Sequence, residues 1–303
     1  MSEPVKMKFQ FHTDTTQTEE LIESLLSNRY VLRMMQENCI DESIVKRYPW
    51  RVKKWLDDFS PCINCKGLKD CRQSICGYYN NLAYDGILQV EKKACLFERR
   101  KLEEEKHLSM YLINDLPEDY RTVSFESLKL ENEEVSYRKT VSVALQYLKE
   151  GKGLYLYGPM GTGKTYLSAC AANYMARHNH KVCFIHYPSF TRKMAALVKT
   201  GEYQREVERL CYCDFLVIDD IGAEAVTPWN RDQILLPVLS KRYDSHLLTW
   251  FTSNEDMKSL KEHFVSTGKG GEENMKAERI IERIGNLSEM KTLLGEDRRK
   301  NNI

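Results

Sequence analysis

A glycine-rich segment near the middle of the chain has the residue types of a phosphate-binding loop. Gly158, Gly163, Lys164 and Thr165 occupy every fixed position of the pattern G-x-x-x-x-G-K-[ST]. Glycines let successive backbone N–H groups turn toward phosphate oxygens, and the helix that follows adds a positive dipole. The lysine supplies a point charge to the β- and γ-phosphates, and the Thr165 hydroxyl is a ligand for Mg²⁺. The pattern therefore predicts ATP and magnesium binding, with a plain glycine-rich turn as the alternative. The predicted nucleotide contacts are Gly158, Pro159, Met160, Gly161, Thr162, Gly163, Lys164, Thr165 and Tyr166.

Two adjacent carboxylates could complete this site. Asp219 and Asp220 end the sequence FLVIDD, whose apolar run is typical of a buried central strand. Such a strand delivers its last residues to the sheet edge where ligands bind. We expect Asp219 to hold magnesium, directly or through water, and Asp220 to polarise the attacking water; two acids on a surface turn are the alternative. Many such ATPases carry glutamate in the second position, so the shorter Asp220 argues against fast turnover.

A polar residue ends the next apolar run, LLTWFTSN. A side chain at the end of a neighbouring strand can sense the γ-phosphate and position water. We therefore predict a catalytic role for Asn254, with an ordinary strand-end turn as the alternative.

The cysteines cluster, and their spacing is that of a metal site. The chain has 10 cysteines, and Cys62, Cys65, Cys71, Cys76 and Cys95 lie close together. A two-residue gap lets the first two thiolates face one tetrahedral Zn²⁺. Four of these five residues are predicted to hold a structural zinc, and buried free thiols are the alternative. Disulfides are the poorer interpretation, because the N-terminus has no apolar run typical of a signal peptide.

Short apolar runs alternate with helical patterns in the second part of the chain, and these elements must position the predicted site. The runs are Leu154–Tyr157, Val182–His186, Phe215–Ile218, Leu247–Thr252 and Met290–Leu294. Strands separated by helical crossovers predict a parallel α/β sheet with both faces covered. Residues 14–58 read as helical, with Thr18 as a cap and Pro49 as a break or kink. We expect domains at 1–100 and 119–303, joined by a linker at 101–118.

Overall charge excludes some classes of partner. The chain of 303 residues has a formal net charge of +1, which argues against a protein that coats nucleic acid or a polybasic membrane binder. No apolar run approaches the roughly 18 residues of a membrane span, so we expect a cytoplasmic protein without membrane contact.

Local charge could still bind single-stranded DNA. The candidate contacts are Thr191, Arg192, Lys193 and Lys199, with the aromatic residues Tyr187, Phe190 and Tyr203 interleaved. An ordinary amphipathic helix is the alternative.

Together, four segments resemble the AAA+ ATPases, and within them the DnaC/DnaI/IstB-type helicase loader clade. They are YGPMGTGKTYLSACAAN, FLVIDDIGAE, the TSN strand end and AERIIERIG, within roughly residues 115–294. The resemblance implies an AAA+ P-loop domain, preceded here by a small, mostly helical zinc-binding domain. Too few residues follow Leu294 for a helical lid, so we expect no lid arginine at the chain's own nucleotide.

The resemblance also implies a function and partners. The expected function is ATP-dependent loading of the replicative DNA helicase, a hexamer, onto single-stranded DNA, with the N-terminal domain contacting the helicase. Self-association through the AAA+ domain would bring an arginine to the γ-phosphate bound by the neighbouring subunit. Arg283 is the favoured residue and Arg279 the second. The alternative is that both arginines lie on a solvated helix face. The clade's zinc site includes a histidine that this chain lacks, so Cys76 or Cys95 would complete the set. The alternative functions are an IstB-type transposition accessory ATPase and a nucleotide-gated binding module with little turnover.

Overall fold

The structure is a computed structural model that describes residues 15–128, 130–131, 133–265, 271–295 and 297–298. The chain divides into two compact units, Met1–Glu103 and Glu104–Ile303. None of the helices in these described ranges is long and apolar enough to cross a membrane.

The first unit packs four helices and a β-hairpin around one apolar core. The four helices are α1 (Thr15–Ser27), α2 (Arg29–Glu37), α3 (Glu42–Arg47) and α4 (Pro49–Phe59), and the hairpin strands are β1 (Tyr78–Tyr84) and β2 (Leu88–Ala94). A further helix, α5 (Leu96–Glu105), follows the hairpin and contributes no buried residue. Asp41 caps α3 by accepting a hydrogen bond from the Ile44 N–H at 3.2 Å, and Pro49 occupies the first turn of α4, where its missing N–H has no cost. Thr18 lies inside α1 and does not begin it.

The mostly helical first unit also contains a β-hairpin, which was not predicted from the sequence. Strands β1 and β2 pair antiparallel, from Tyr78 opposite Ala94 to Tyr84 opposite Leu88. The Asp85-Gly86 dipeptide makes the turn, with Gly86 at a φ of +101°. This dipeptide is a strong hairpin signal that was available in the sequence. The hairpin contributes Leu82 and Leu88 to the core formed by the helices.

The second unit is built on a sheet of six parallel strands. The strands are β3 (Tyr111–Asn114), β4 (Leu154–Tyr157), β5 (Val182–His186), β6 (Phe215–Asp219), β7 (Leu248–Ser253) and β8 (Glu289–Thr292), in the order β3-β5-β6-β7-β4-β8. The prediction of a parallel α/β sheet is confirmed. Residues 101–118 do not form the expected linker, because β3 within them pairs with β5 at the sheet edge. This four-residue strand is too short for its pattern to have been recognised.

Helices cover both faces of this sheet. They are α6 (Val135–Glu150), α7 (Lys164–Arg177), α8 (Tyr187–Leu197), α9 (Tyr203–Tyr212), α10 (Leu236–Asp244, preceded by a π-helical segment, Asn230–Leu235), α11 (Met257–Val265) and α12 (Gly271–Leu287). Alternate residues of β6 face opposite layers: Leu216 and Ile218 pack with α8–α12, whereas Phe215 and Val217 pack with α6 and α7. Every residue of β6 is buried, so its last residue is held rigidly at the carboxyl edge.

Candidate nucleotide-binding site

The glycine-rich segment forms a tight loop between β4 and α7. Gly161 and Gly163 have φ values of +80° and +98°, a region that residues with side chains rarely adopt. A Cβ on Gly158 would lie 2.3 Å from the carbonyl oxygen of Leu293, so only glycine fits there. The loop therefore has the backbone freedom that a phosphate cradle requires.

Lys164 begins α7 and is turned back into the loop. Its Nζ donates to the carbonyl oxygens of Gly158 and Pro159, both at 2.8 Å, and to Oδ1 of Asn254 at 2.9 Å. The side chain is buried, with 7% of its surface exposed. The ammonium group is thus surrounded by oxygen acceptors at the position where a phosphate would be bound.

Thr165 and Asp219 meet as a magnesium site would require. The Thr165 hydroxyl donates to the two Asp219 carboxylate oxygens at 2.9 and 3.2 Å. On the neighbouring strand, the Thr252 hydroxyl donates to Asp219 Oδ1 at 2.7 Å. Burial raises the pKa of Asp219, and these two hydroxyls oppose the rise. A hydroxyl beside a buried carboxylate is a donor set of the kind that Mg²⁺ binds, so these residues fit the ion.

Asp220 lies at the same edge in an unusual backbone conformation. Its φ is +59°, a left-handed value that aspartate tolerates better than most residues. Asn254 Nδ2 donates to one carboxylate oxygen at 3.2 Å, and His186 Nε2 lies 3.8 Å from the other. Sequence reasoning missed His186, although it ends the strand next to β6, and residues at adjacent strand ends share one edge. Thr252 was likewise passed over in favour of Asn254.

Comparison with known proteins identifies the family. A family model described as IstB-like ATP binding protein matches residues 80–302. The chain belongs to this family. The replicative helicase loader DnaI of Bacillus subtilis (strain 168) is 28% identical over 288 residues, which cover 93% of each chain. A crystal structure of DnaI is 30% identical, with a TM-score of 0.54, and the match covers 64% of this chain and 99% of that one.

In this IstB-like ATP-binding protein, the two predicted finger arginines lie on α12. This helix packs against α10 and α11. The Arg283 guanidinium lies over the ring of Tyr243, 4.7 Å from its centre, and Arg279 is exposed. Among the described residues, no hydrogen bond or ion pair joins either arginine to the chain's own phosphate loop, so a role at a neighbouring subunit stays a prediction.

The remaining loop residues occupy the rim of the site. Met160 is exposed, whereas Thr162 is buried and donates to the Pro159 carbonyl at 3.0 Å. The Tyr166 hydroxyl lies 3.1 Å from Ser127 Oγ, and its ring packs edge-on against Tyr120.

The proposed DNA contacts lie on α8 and, for Lys199, in the turn that follows it, and they divide into two groups. Arg192, Lys193 and Lys199 are exposed, and Lys193 forms an ion pair with Glu206 at 3.3 Å. Thr191 is 3% exposed, and its hydroxyl donates to Pro188 O, so its assignment as a DNA contact is wrong for this conformation. The Thr191 side chain lies on the face of α8 that packs against the core.

The aromatic residues interleaved with these contacts also face the protein core. Tyr187 and Phe190 are buried in the apolar layer and cannot stack on bases as the sequence suggested. The half-buried Tyr203 packs edge-on against Trp229.

Four of the five clustered cysteines line one cavity of the first unit. Cys62, Cys65, Cys71 and Cys95 share its wall, and Cys76 does not. The Gly77 N–H donates to the Cys71 sulfur at 3.4 Å, and this hydrogen bond lowers the pKa of that thiol. Within the described part of the chain, no three or more cysteine, histidine or acidic side chains are arranged to hold a metal ion. Zinc binding by these cysteines therefore stays a prediction.

Proposed function

We propose that this protein uses ATP to load the replicative DNA helicase onto single-stranded DNA. The observation that carries the proposal is the similarity to a replicative helicase loader along 93% of both chains, which includes the first unit as well as the nucleotide site. The IstB-type transposition function is less favoured, because the IstB-like family match begins at residue 80 and leaves most of the first unit unmatched. A protein that acts on the replicative helicase and single-stranded DNA would be located in the cytoplasm.

Each residue of the site has a distinct part in ATP hydrolysis. Bound MgATP would supply the scissile phosphate and the charge of the metal. Lys164 would exchange its loop carbonyl acceptors for phosphate oxygens, while Thr165 and Asp219 would hold the magnesium. Asp220 would accept a hydrogen bond from the attacking water. Asn254, which contacts both Lys164 and Asp220, would link the phosphate to this acid.

Slow basal turnover follows from the surroundings of Asp220. Both of its carboxylate oxygens face other groups, Asn254 on one side and His186 on the other. Its side chain is also one methylene shorter than glutamate. A water must therefore displace or share these contacts, which favours stimulation by partners.

Self-association would complete the site with an arginine from a neighbour. Arg283 is our first candidate and Arg279 the second, since both lie outside the chain's own site. Such an arginine can raise the rate by orders of magnitude by stabilising transition-state charge. Mixing Lys164→Ala protein with Arg283→Ala protein should restore hydrolysis. Failure to restore it, with each variant folded, would argue against a shared site.

Single-stranded DNA would be contacted by Arg192, Lys193 and Lys199, the exposed basic residues that follow β5. Replacing Arg192 or Lys199 with alanine should weaken binding and reduce its salt dependence by about one ion per residue. Thr191→Ser is the matched control, because its buried hydroxyl cannot reach DNA. An unchanged salt slope would exclude these contacts.

Zinc would be held by Cys62, Cys65, Cys71 and Cys95. The support is that four thiols line one cavity, a donor set that suits Zn²⁺. Metal analysis of the purified full chain should give close to one zinc per chain. Cys95→Ser should lose zinc and Cys76→Ser should retain it. The reverse result would show that Cys76, and not Cys95, is the fourth ligand.

The decisive experiment measures helicase loading directly. The full chain is mixed with the cognate replicative helicase and circular single-stranded DNA, and DNA-bound helicase is counted with and without ATP. We expect the wild type to increase bound helicase and Lys164→Ala to fail, with Lys139→Ala, an exposed change on α6, behaving as wild type. Hydrolysis is measured in parallel. Helicase delivery without hydrolysis would favour the nucleotide-gated module, and no delivery would refute the loader function.

A further inference from the structure

Two residues that follow β8, Leu293 and Arg298, are hydrogen-bonded at the phosphate loop. The Leu293 N–H donates to the Tyr157 carbonyl at 2.8 Å, immediately before the loop begins. Further on, the backbone N–H of Arg298 donates to the Gly161 carbonyl at 3.0 Å, and its side-chain Nε donates to the Thr162 carbonyl at 3.1 Å. Two successive carbonyls of the loop are therefore held by one residue from the end of the chain.

The same guanidinium is anchored on the opposite side. Its two terminal nitrogens donate to the two carboxylate oxygens of Glu133, at 2.5 and 2.6 Å, in a paired geometry specific to arginine. It also lies over the ring of Tyr137, 3.8 Å from the ring centre. Tyr137 is buried in the first turns of α6. Arg298 thus connects the loop to a fixed point of the fold.

These contacts constrain the loop in the direction that matters for a phosphate. In a planar trans peptide, the carbonyl and the following N–H point in opposite directions. Hydrogen bonds that hold the Gly161 and Thr162 carbonyls outward consequently direct the N–H groups of Thr162 and Gly163 inward. Inward N–H groups are what a loop of this kind offers to phosphate oxygens.

The contact is close as well as directional. A Cβ built on Gly161 would lie 1.9 Å from the Asp297 carboxylate, so the absence of a side chain at Gly161 is what lets the C-terminal segment reach the loop. The sequence pattern did not predict an arginine at the chain's own phosphate loop. Arg298 shows that a short segment suffices to bring an arginine to the loop.

We propose that Arg298, braced by Glu133 and Tyr137, is a positioning residue that preorganises the phosphate loop for nucleotide. This inference rests on the proposed nucleotide binding. Preorganisation strengthens binding by removing the cost of ordering the loop. It should affect the affinity for nucleotide much more than the rate of the chemical step, because Arg298 contacts the loop carbonyls.

The test measures nucleotide affinity and the separate kinetic constants in the full chain. We expect Arg298→Ala to raise the Kd for a fluorescent ADP analogue and the KM for ATP about tenfold, with kcat at saturating ATP changed less than about twofold. Arg298→Lys keeps the charge but loses the paired geometry, so an intermediate Kd is expected. Glu133→Gln should weaken binding in the same direction, and the double variant should bind no more weakly than Arg298→Ala. Lys139→Ala, on the same helix as Tyr137, is the control for loss of one positive charge.

The outcomes separate this proposal from the function on which it rests. If the wild type binds no nucleotide, the proposed function fails. If the wild type binds and Arg298→Ala binds equally well, or loses kcat with KM unchanged, the positioning role is refuted. A lowered melting temperature with an unchanged Kd would also refute it. If Arg298→Ala does not fold, Glu133→Gln decides by the same criteria.

Discussion

Replacing Thr252 with valine would remove one hydroxyl from the centre of the site while keeping the branched shape of the side chain. Thr252 is 1% exposed and lies between the two acids. Its hydroxyl donates to Asp219 Oδ1 at 2.7 Å and accepts from the Asp220 N–H at 2.9 Å. The substitution therefore withdraws support from the ionised Asp219 and leaves the Asp220 N–H without this acceptor.

The magnitude follows from the hydrogen bond to the carboxylate. A hydrogen bond to a charged group contributes about 1.5–3 kcal/mol, and about 1.4 kcal/mol corresponds to a tenfold change in a proton-binding constant. Burial already raises the pKa of Asp219, and the Thr252 hydroxyl is the largest of the effects that oppose the rise. Removing it should raise this pKa further, by about one pH unit or more. Loss of the part-buried hydrogen bond from the Asp220 N–H adds about 0.5–1.5 kcal/mol of lost stability.

The assay is the pH dependence of magnesium-dependent ATP hydrolysis, measured as kcat/KM. Asp219 must be ionised to hold magnesium, so activity rises with pH through its pKa. A raised pKa moves this acid limb to higher pH, and Thr252→Val should recover part of its activity in alkaline buffer. Thr252→Ser retains the hydroxyl and should keep the wild-type limb. A limb that stays in place or moves to lower pH in folded Thr252→Val would refute the reasoning.

Three further predictions concern stability and basal turnover. Because the folded protein raises the pKa of Asp219, its ionised form costs stability above the unfolded pKa of about 3.9. Asp219→Asn should therefore increase the free energy of unfolding in urea at pH 7 by on the order of 1 kcal/mol, and a gain that persists at pH 3 would contradict this cause. Arg242 is fully buried and donates to the Leu210 and Leu248 carbonyls. Arg242→Ala would leave a cavity and carbonyls without donors, so it should cost about 3–5 kcal/mol in the same assay. A loss below about 1 kcal/mol would show that water replaces the side chain. His186→Ala frees one side of Asp220 and should raise basal ATP hydrolysis severalfold in a phosphate-release assay, whereas a lower rate would indicate that His186 assists catalysis.

The phosphate site illustrates how far local pattern reaches. The phosphate-loop pattern lies between a strand and a helix that are adjacent in the sequence, and the two acids follow an apolar run. The chemistry of the site could therefore be predicted without knowledge of the whole fold. Once the strands are parallel, their carboxyl ends must share one edge. The structure accordingly brings Thr165 to Asp219 and Asn254 to Lys164.

Features that depend on which side chains of a helix face the core were predicted less well. The α8 segment has basic and aromatic residues in one stretch of sequence, but helical periodicity turns Thr191 and Phe190 into the core and leaves Arg192 outside. The edge strand β3 was missed because four residues carry too little pattern to distinguish a strand from a connection. The hairpin was missed for a different reason, since the polar residues of β1 and β2 leave only a weak apolar alternation on either side of the Asp85-Gly86 turn.

The sequence by itself determined the α/β sheet, the phosphate loop and the acids at the end of β6, because each depends on neighbours within a few residues. Only the tertiary structure decided which distant groups meet this site. His186 reaches Asp220 through strand order, and Arg298 reaches the loop and Glu133 across 165 positions of the chain. Such contacts depend on how the backbone returns in space, and no local pattern of residues encodes that return.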